Sequence, residues 1–119
     1  MKEQRPDNGA SLDVRRPGLV VSVRRNGAAA TVELVGELDL ASVDGFTSAV
    51  GRVLVDPPEE ILLDWDGLTF IDSSGVGAYV EVFRRARSAG VPLSLGRRSS
   101  VVDRVLQLSG VEDALRHEF

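Results

Sequence analysis

At 119 residues the chain has room for one domain with one core. Hydrophobic residues supply 43% and charged residues 27%, proportions that exclude a fibrous or disordered chain. The formal net charge of −4 argues against nucleic acid as a partner, because no excess positive charge exists to displace phosphate counterions.

Residues 1–17 are polar, with Pro6, Gly9 and Pro17 and no periodicity, and read as a flexible leader ahead of a domain at 18–119. The leader holds four basic against three acidic residues, so the rest of the chain is more acidic than the whole. Leu19 to Val23 and Ala30 to Val35 are β-branched, apolar runs separated by Asn26-Gly27, which predicts a hairpin. From about 41 to 54, Val43, Phe46, Val50, Val53 and Leu54 fall at helical spacing. Asp39 or Ser42 can cap that helix, and Asp56-Pro57-Pro58 stops it.

Ile61-Leu62-Leu63 is a short continuous apolar run, the pattern of a central strand, and it ends in Asp64-Trp65-Asp66-Gly67. A second helix runs from about Ser73 to Ser88, with Val76, Tyr79, Val80 and Phe83 on one face. Arg84, Arg85 and Arg87 lie near its C-terminus, where the helix dipole favours cations. Val91 to Leu95 reads as a strand, with Arg97 and Arg98 in the loop beyond it. A third helix, about Ser100 to Leu108, places Val101, Val105 and Leu108 on one face, and a final helical turn follows. Strand–helix alternation after a hairpin argues for an α/β chain with a mixed β-sheet, order ββαβαβα, and helices packed against it.

Most catalytic equipment is absent. The chain has no cysteine, which removes disulfides, zinc–thiolate sites and thiol nucleophiles together. Its only lysine is Lys2, so neither a P-loop nor a buried Schiff-base lysine can be built. Its only histidine is His117, and no G-x-S-x-G turn accompanies it. The Asp64/Asp66 pair suggests a metal site, but acids at strand ends more often face solvent. No stretch nears the roughly 20 apolar residues that span a bilayer, and the N-terminus lacks a secretory apolar segment, so the expected location is cytoplasmic.

Two segments stand out: Gly36-Glu37-Leu38-Asp39, and the run from Leu63 to Gly77, LDWDGLTFIDSSGVG. Together they resemble the hallmarks of the STAS domain family, and within it the bacterial anti-sigma-factor antagonists. The resemblance covers about residues 18–117, and the predicted element order matches a STAS-like sheet. It implies that Ser73 is the serine phosphorylated by a partner kinase and that Asp39 is an acidic residue beside it. The implied partner-binding set is Asp39, Asp72, Ser73, Ser74, Gly75 and Gly77. The implied partner is an anti-sigma factor with a histidine-kinase-type ATPase fold, acting as a serine kinase, and a phosphoserine phosphatase reverses the modification. No cofactor, metal or catalytic residue belongs to the antagonist itself, which frees a sigma factor by binding the anti-sigma factor.

The residues themselves are compatible with such a switch. A helix N-terminus near Ser73 offers free N–H groups and a partial positive charge to a phosphate. Gly75 and Gly77 each cost about 1 kcal/mol inside a helix, and without Cβ atoms they let another chain approach. Phosphorylation adds about −1.5 to −2 charges, while the helix end favours an anion by about 0.3–1 kcal/mol, so the fold should tolerate it. Against a partner carboxylate about 7 Å away the repulsion is on the order of 1–5 kcal/mol, enough for a tenfold or greater loss of affinity. The expectation is blocking by charge and bulk, not unfolding. Alternatives stay open: Ser73 and Ser74 as simple helix caps, Asp72 as the cap, a non-phosphorylated STAS accessory domain in a transport or sensory complex, or a small phosphotransfer enzyme using Asp64, Asp66 or Asp72.

Overall fold

The computed structural model describes residues 11–116. In chain order the elements are β1 (Ser11–Arg16), β2 (Leu19–Asn26), β3 (Ala29–Leu38), α1 (Val43–Val53), β4 (Glu60–Ile71), α2 (Ser73–Ser88), β5 (Leu93–Arg98), α3 (Ser100–Ser109) and α4 (Val111–Arg116). The five strands form one mixed sheet in the order β1-β2-β3-β4-β5. The first three are antiparallel neighbours, and β4 and β5 add in parallel, as their helical connections require.

Register puts the core on one face. The row Val23–Val32–Leu63–Leu95 points toward the helices, while the next row, Arg24–Thr31–Leu62–Ser94, points away. Along β2 and β3, Leu19, Val21, Val23, Ala30, Val32 and Leu34 are all buried. Helix α1 lies over β1 to β3 and against α2, and α3 lies over β4. Phe46, Val50 and Val53 are the buried face of α1, in agreement with its sequence periodicity.

The α/β mixed sheet with helices packed against it is present, with elements added to the expected order. Ser11–Arg16, expected within the leader, pairs with β2 as an edge strand. Pro17-Gly18 joins them as a two-residue turn in which Gly18 has φ +79° and Pro17 occupies the preceding position. Its alternation is short, but Val14 is buried and pairs with Val21.

Strand β4 does not end at Leu63; burial continues through Trp65, Leu68 and Ile71 to the twelfth residue of the strand. Likewise β5 runs on to Arg98. Arg97 of β5 donates to Asp64 at 3.0 Å and lies 3.7 Å from Asp66, so the acids expected at the strand's end lie within β4 and meet an arginine of the neighbouring strand.

Two helical faces are rotated from expectation. On α2 the buried residues are Gly75, Ala78, Tyr79, Val82 and Ala86, leaving Val76, Val80 and Phe83 at the margin. On α3 the buried residues are Val102 and Leu106, with Val105 partly buried against the core, while Val101 and Leu108 are exposed.

Candidate functional site

Strands β3 and β4 end side by side. Leu38 pairs with Ile71, and the Asp72 N–H donates to the Leu38 carbonyl at 3.4 Å. Asp39 and Asp72 therefore leave the sheet together at the carboxyl ends of parallel strands, the edge where α/β sheets place their functional loops.

The Gly36-Glu37-Leu38-Asp39 segment is shaped by backbone contacts. Gly36 has φ +116°, and a Cβ there would run into the Gly18 carbonyl oxygen. That approach lets the Glu37 N–H donate to the same oxygen at 2.8 Å. Past the strand, the fully buried Ser42 hydroxyl donates to the Glu37 carbonyl at 2.8 Å and accepts from the Asp39 N–H at 3.0 Å. The Asp39 carboxylate accepts from the Ala41 N–H at 3.1 Å. Ser42 occupies the N-cap position of α1, but its hydroxyl turns back into the loop and caps nothing. The loop also pushes Leu40 into solvent at 80% exposure.

At the start of α2, Asp72 is the cap: its side chain accepts from the Gly75 N–H at 3.1 Å, and its carbonyl accepts from the Val76 N–H at 3.0 Å. Ser73 is thereby released from capping. It is exposed, and among the described residues its hydroxyl has no hydrogen-bond partner. Ser74 beside it is half-buried.

The two glycines of the motif separate in role. Gly75 is buried, and a Cβ there would sit 2.7 Å from Ile71 Cγ1 and 2.8 Å from the Leu38 oxygen. It lets the helix start against its own sheet, which corrects the expectation that it opens a path for another chain. Gly77 is exposed with open space around its Cβ position.

Sequence reasoning missed the apolar part of this surface. Ser73 and Asp72 line a groove of about 370 Å³ with Val76, Val105, Leu108 and Ser109. Leu108 is 78% exposed, and Phe70, two residues before Asp72, is 45% exposed. The signal in Leu108 was its helical spacing, which assigned it to the core.

The remaining candidates are structural. Among the described residues no cluster of three His, Cys, Asp or Glu could hold a metal ion. Asp64 and Asp66 face Arg97, whose pKa is raised first by its hydrogen bond to Asp64 and then by the two carboxylate charges. Arg98 reaches Asp103 at 3.1 Å and Glu112 at 2.9 Å, tying β5 to α3 and α4. Trp65 and Tyr79 are buried and in ring contact, with centroids 5.1 Å apart. Burial pushes the Tyr79 phenol up to about 12, with Glu112 adding to the shift and Arg98 opposing it. His117 lies outside the described residues, and no helix among them is long and apolar enough to cross a membrane.

A single-sided mixed sheet whose parallel strand ends carry GELD and D-S-S-G-V-G defines a class. Residues 20–118 match the STAS domain, and the chain belongs to that family. Its relatives include the anti-sigma-F factor antagonist RsfB of Mycobacterium tuberculosis, 24% identical over 98 residues that span 82% of this chain and 80% of RsfB. Similar structures are an anti-sigma factor antagonist from Mycobacterium paratuberculosis (TM-score 0.66, 19% identity, 93% of this chain and 86% of that one) and unphosphorylated SpoIIAA (TM-score 0.65, 25% identity, 76% and 80%). Phosphorylated SpoIIAA from Bacillus superposes with a TM-score of 0.61 at 22% identity, over 83% of this chain and 99% of that one.

Proposed function

We propose that this protein is an anti-sigma-factor antagonist: it binds an anti-sigma factor, releases the sigma factor, and is switched off when that partner phosphorylates Ser73. The observation that carries the reading is the division of labour between Asp72 and Ser73. The aspartate caps the helix, and the serine hydroxyl stands free in solvent at its first residue. The relatives named as anti-sigma factor antagonists support the partner class.

The partner is a serine kinase with a histidine-kinase-type ATPase fold. In its active site Ser73 Oγ attacks the γ-phosphorus of ATP; the new Oγ–P bond forms as the bond to ADP breaks, and the hydroxyl proton passes to a kinase base. A phosphoserine phosphatase restores the hydroxyl with water. Asp39, Asp72, Ser74 and Gly77 form the contact surface around Ser73, and the protein itself contributes no catalysis. It works in the cytoplasm, where sigma factors act.

The phosphate does not unfold the domain. The first turn of α2 has no acidic side chain apart from the Asp72 cap, and its N–H groups favour an anion by about 0.3–1 kcal/mol. Blocking is therefore local, through charge and bulk.

The test mixes the protein with ATP and purified anti-sigma kinases and weighs the product. One added phosphate, absent in Ser73→Ala, is the expected result. No modification and no complex with any such kinase would overturn the reading in favour of a STAS accessory domain. Ser73→Asp should weaken the complex while leaving the circular dichroism spectrum unchanged; melting instead would refute blocking.

A further inference from the structure

A sheet that does not close on itself leaves two edge strands whose outer backbone groups can pair with another chain. Here those strands are β1 and β5, and they differ in what their side chains leave available. The arginines of β5 are engaged inside the chain, Arg97 with Asp64 and Asp66, Arg98 with Asp103 and Glu112. Strand β1 carries Asp13 and Arg15 on the open face of the sheet, opposite Ser22 and Val20, with side chains 49% and 71% exposed. Their contact with each other, 3.7 Å along the strand, is of the weak, solvated kind. Between them Val14 points to the other face and is buried. Among the described residues no strand lies beyond β1.

We propose that β1 pairs antiparallel with β1 of a second copy of this chain, about a two-fold axis at Val14, giving one continuous sheet with five strands from each copy. A two-fold interface must be complementary to itself: if residue i meets residue j, then j meets i. With Val14 opposite Val14, Asp13 lies opposite Arg15 of the second copy, and Arg15 opposite Asp13 of the second copy. Each charge thereby gains an opposite one directly across the ladder. The neighbouring registers fail. Sliding by two residues, the shift that keeps every side chain on its face, puts Asp13 against Asp13 or Arg15 against Arg15. Like charges directly opposed are destabilising, so one register is selected. On the helix side that register sets Leu12, partly buried against the core, opposite Arg16 of the second copy, whose aliphatic stem can cover it. Six residues a side are fewer than the roughly 20–30 of a standard interface, so the dimer is weak and depends on concentration. Ser73 begins the helix that follows β4, well away from this edge, and pairing leaves it uncovered.

Sedimentation equilibrium of the full chain, from about 10 µM to about 1 mM, should show the mass rise from monomer toward dimer. Asp13→Arg and Arg15→Asp change the net charge in opposite directions, yet each should raise the dimer dissociation constant tenfold or more. In both, the two attractive contacts of the dimer become repulsive. Mixed in equal amounts, the two variants should form a heterodimer of wild-type affinity, because opposite charges face each other again. The double variant Asp13→Arg/Arg15→Asp should dimerise with itself for the same reason, and its circular dichroism spectrum should match the wild type. A wild-type chain that stays monomeric throughout would overturn the pairing. So would single variants that dimerise as the wild type does, or a mixture that gains nothing over its components. None of these results bears on whether Ser73 is phosphorylated, so the antagonist reading stands or falls separately.

Discussion

Two adjacent residues compete for one structural task, and the outcome decides which is free for chemistry. Asp72 takes the cap through the Gly75 N–H, and Ser73 is left exposed, its hydroxyl without a hydrogen-bond partner among the described residues. Asp72→Ala should therefore cost about 1 kcal/mol, while Ser73→Ala should change stability by less than about 0.5 kcal/mol. Urea titration of both variants checks this; the opposite order would make Ser73 the cap. The glycines give a second pair of opposite sign. Gly75→Ala drives a methyl group into Ile71 and the Leu38 carbonyl, whereas Gly77→Ala meets open space on a helix. The first should destabilise, and the second should stabilise by about 0.5–1 kcal/mol, as measured by thermal unfolding. A gain from Gly75→Ala would mean that the start of α2 does not sit against the sheet.

At the scale of elements, what could be read in the chain depended on which force fixes each one. Helix α2 runs over the residues its pattern predicts, because a capping aspartate and a terminal Ala89-Gly90 bound it. The Ser73 neighbourhood was legible for the same reason: motif and cap coincide. Strand β1 was not, since its only deeply buried side chain is Val14 and its pairing depends on a turn whose Pro17-Gly18 also reads as the end of a tail. The face of α3 was misread because apolar residues occupy both sides of it, and periodicity alone cannot say which side the sheet takes. That ambiguity hid the groove. The anchor of α4 was equally invisible: Arg98 bridges Asp103 and Glu112 from three different elements, at only 28% side-chain exposure. Arg98→Ala should destabilise by on the order of 1–2 kcal/mol. In hydrogen exchange, amides of 111–116 should open well before those of β2 and β3. Uniform loss of protection across the sheet would show that the bridge holds the whole fold and not α4.

For the whole molecule, stability at high pH reduces to very few groups. The chain has one tyrosine, no cysteine and a single lysine, Lys2, which lies outside the described residues. Tyr79 is buried against Trp65, and its pKa is raised from 10.0 to about 12. Below pH 10 the phenol is neutral in both states and contributes its full share of stability. Between about 10 and 12 the unfolded chain releases this proton and the folded one retains it, so stability falls by about 1.4 kcal/mol per pH unit. Above about 12 both states are ionised and the decline levels off. Urea unfolding from about pH 9 to 12 should show this slope in the wild type. Tyr79→Phe keeps the ring contact with Trp65 and has no proton to lose, so its curve should stay nearly flat over the same interval. The tyrosinate absorbance should rise near 12 in the native protein and near 10 in urea. Parallel slopes in the two proteins would place the alkaline loss elsewhere and would mean that the phenol is not held in the core.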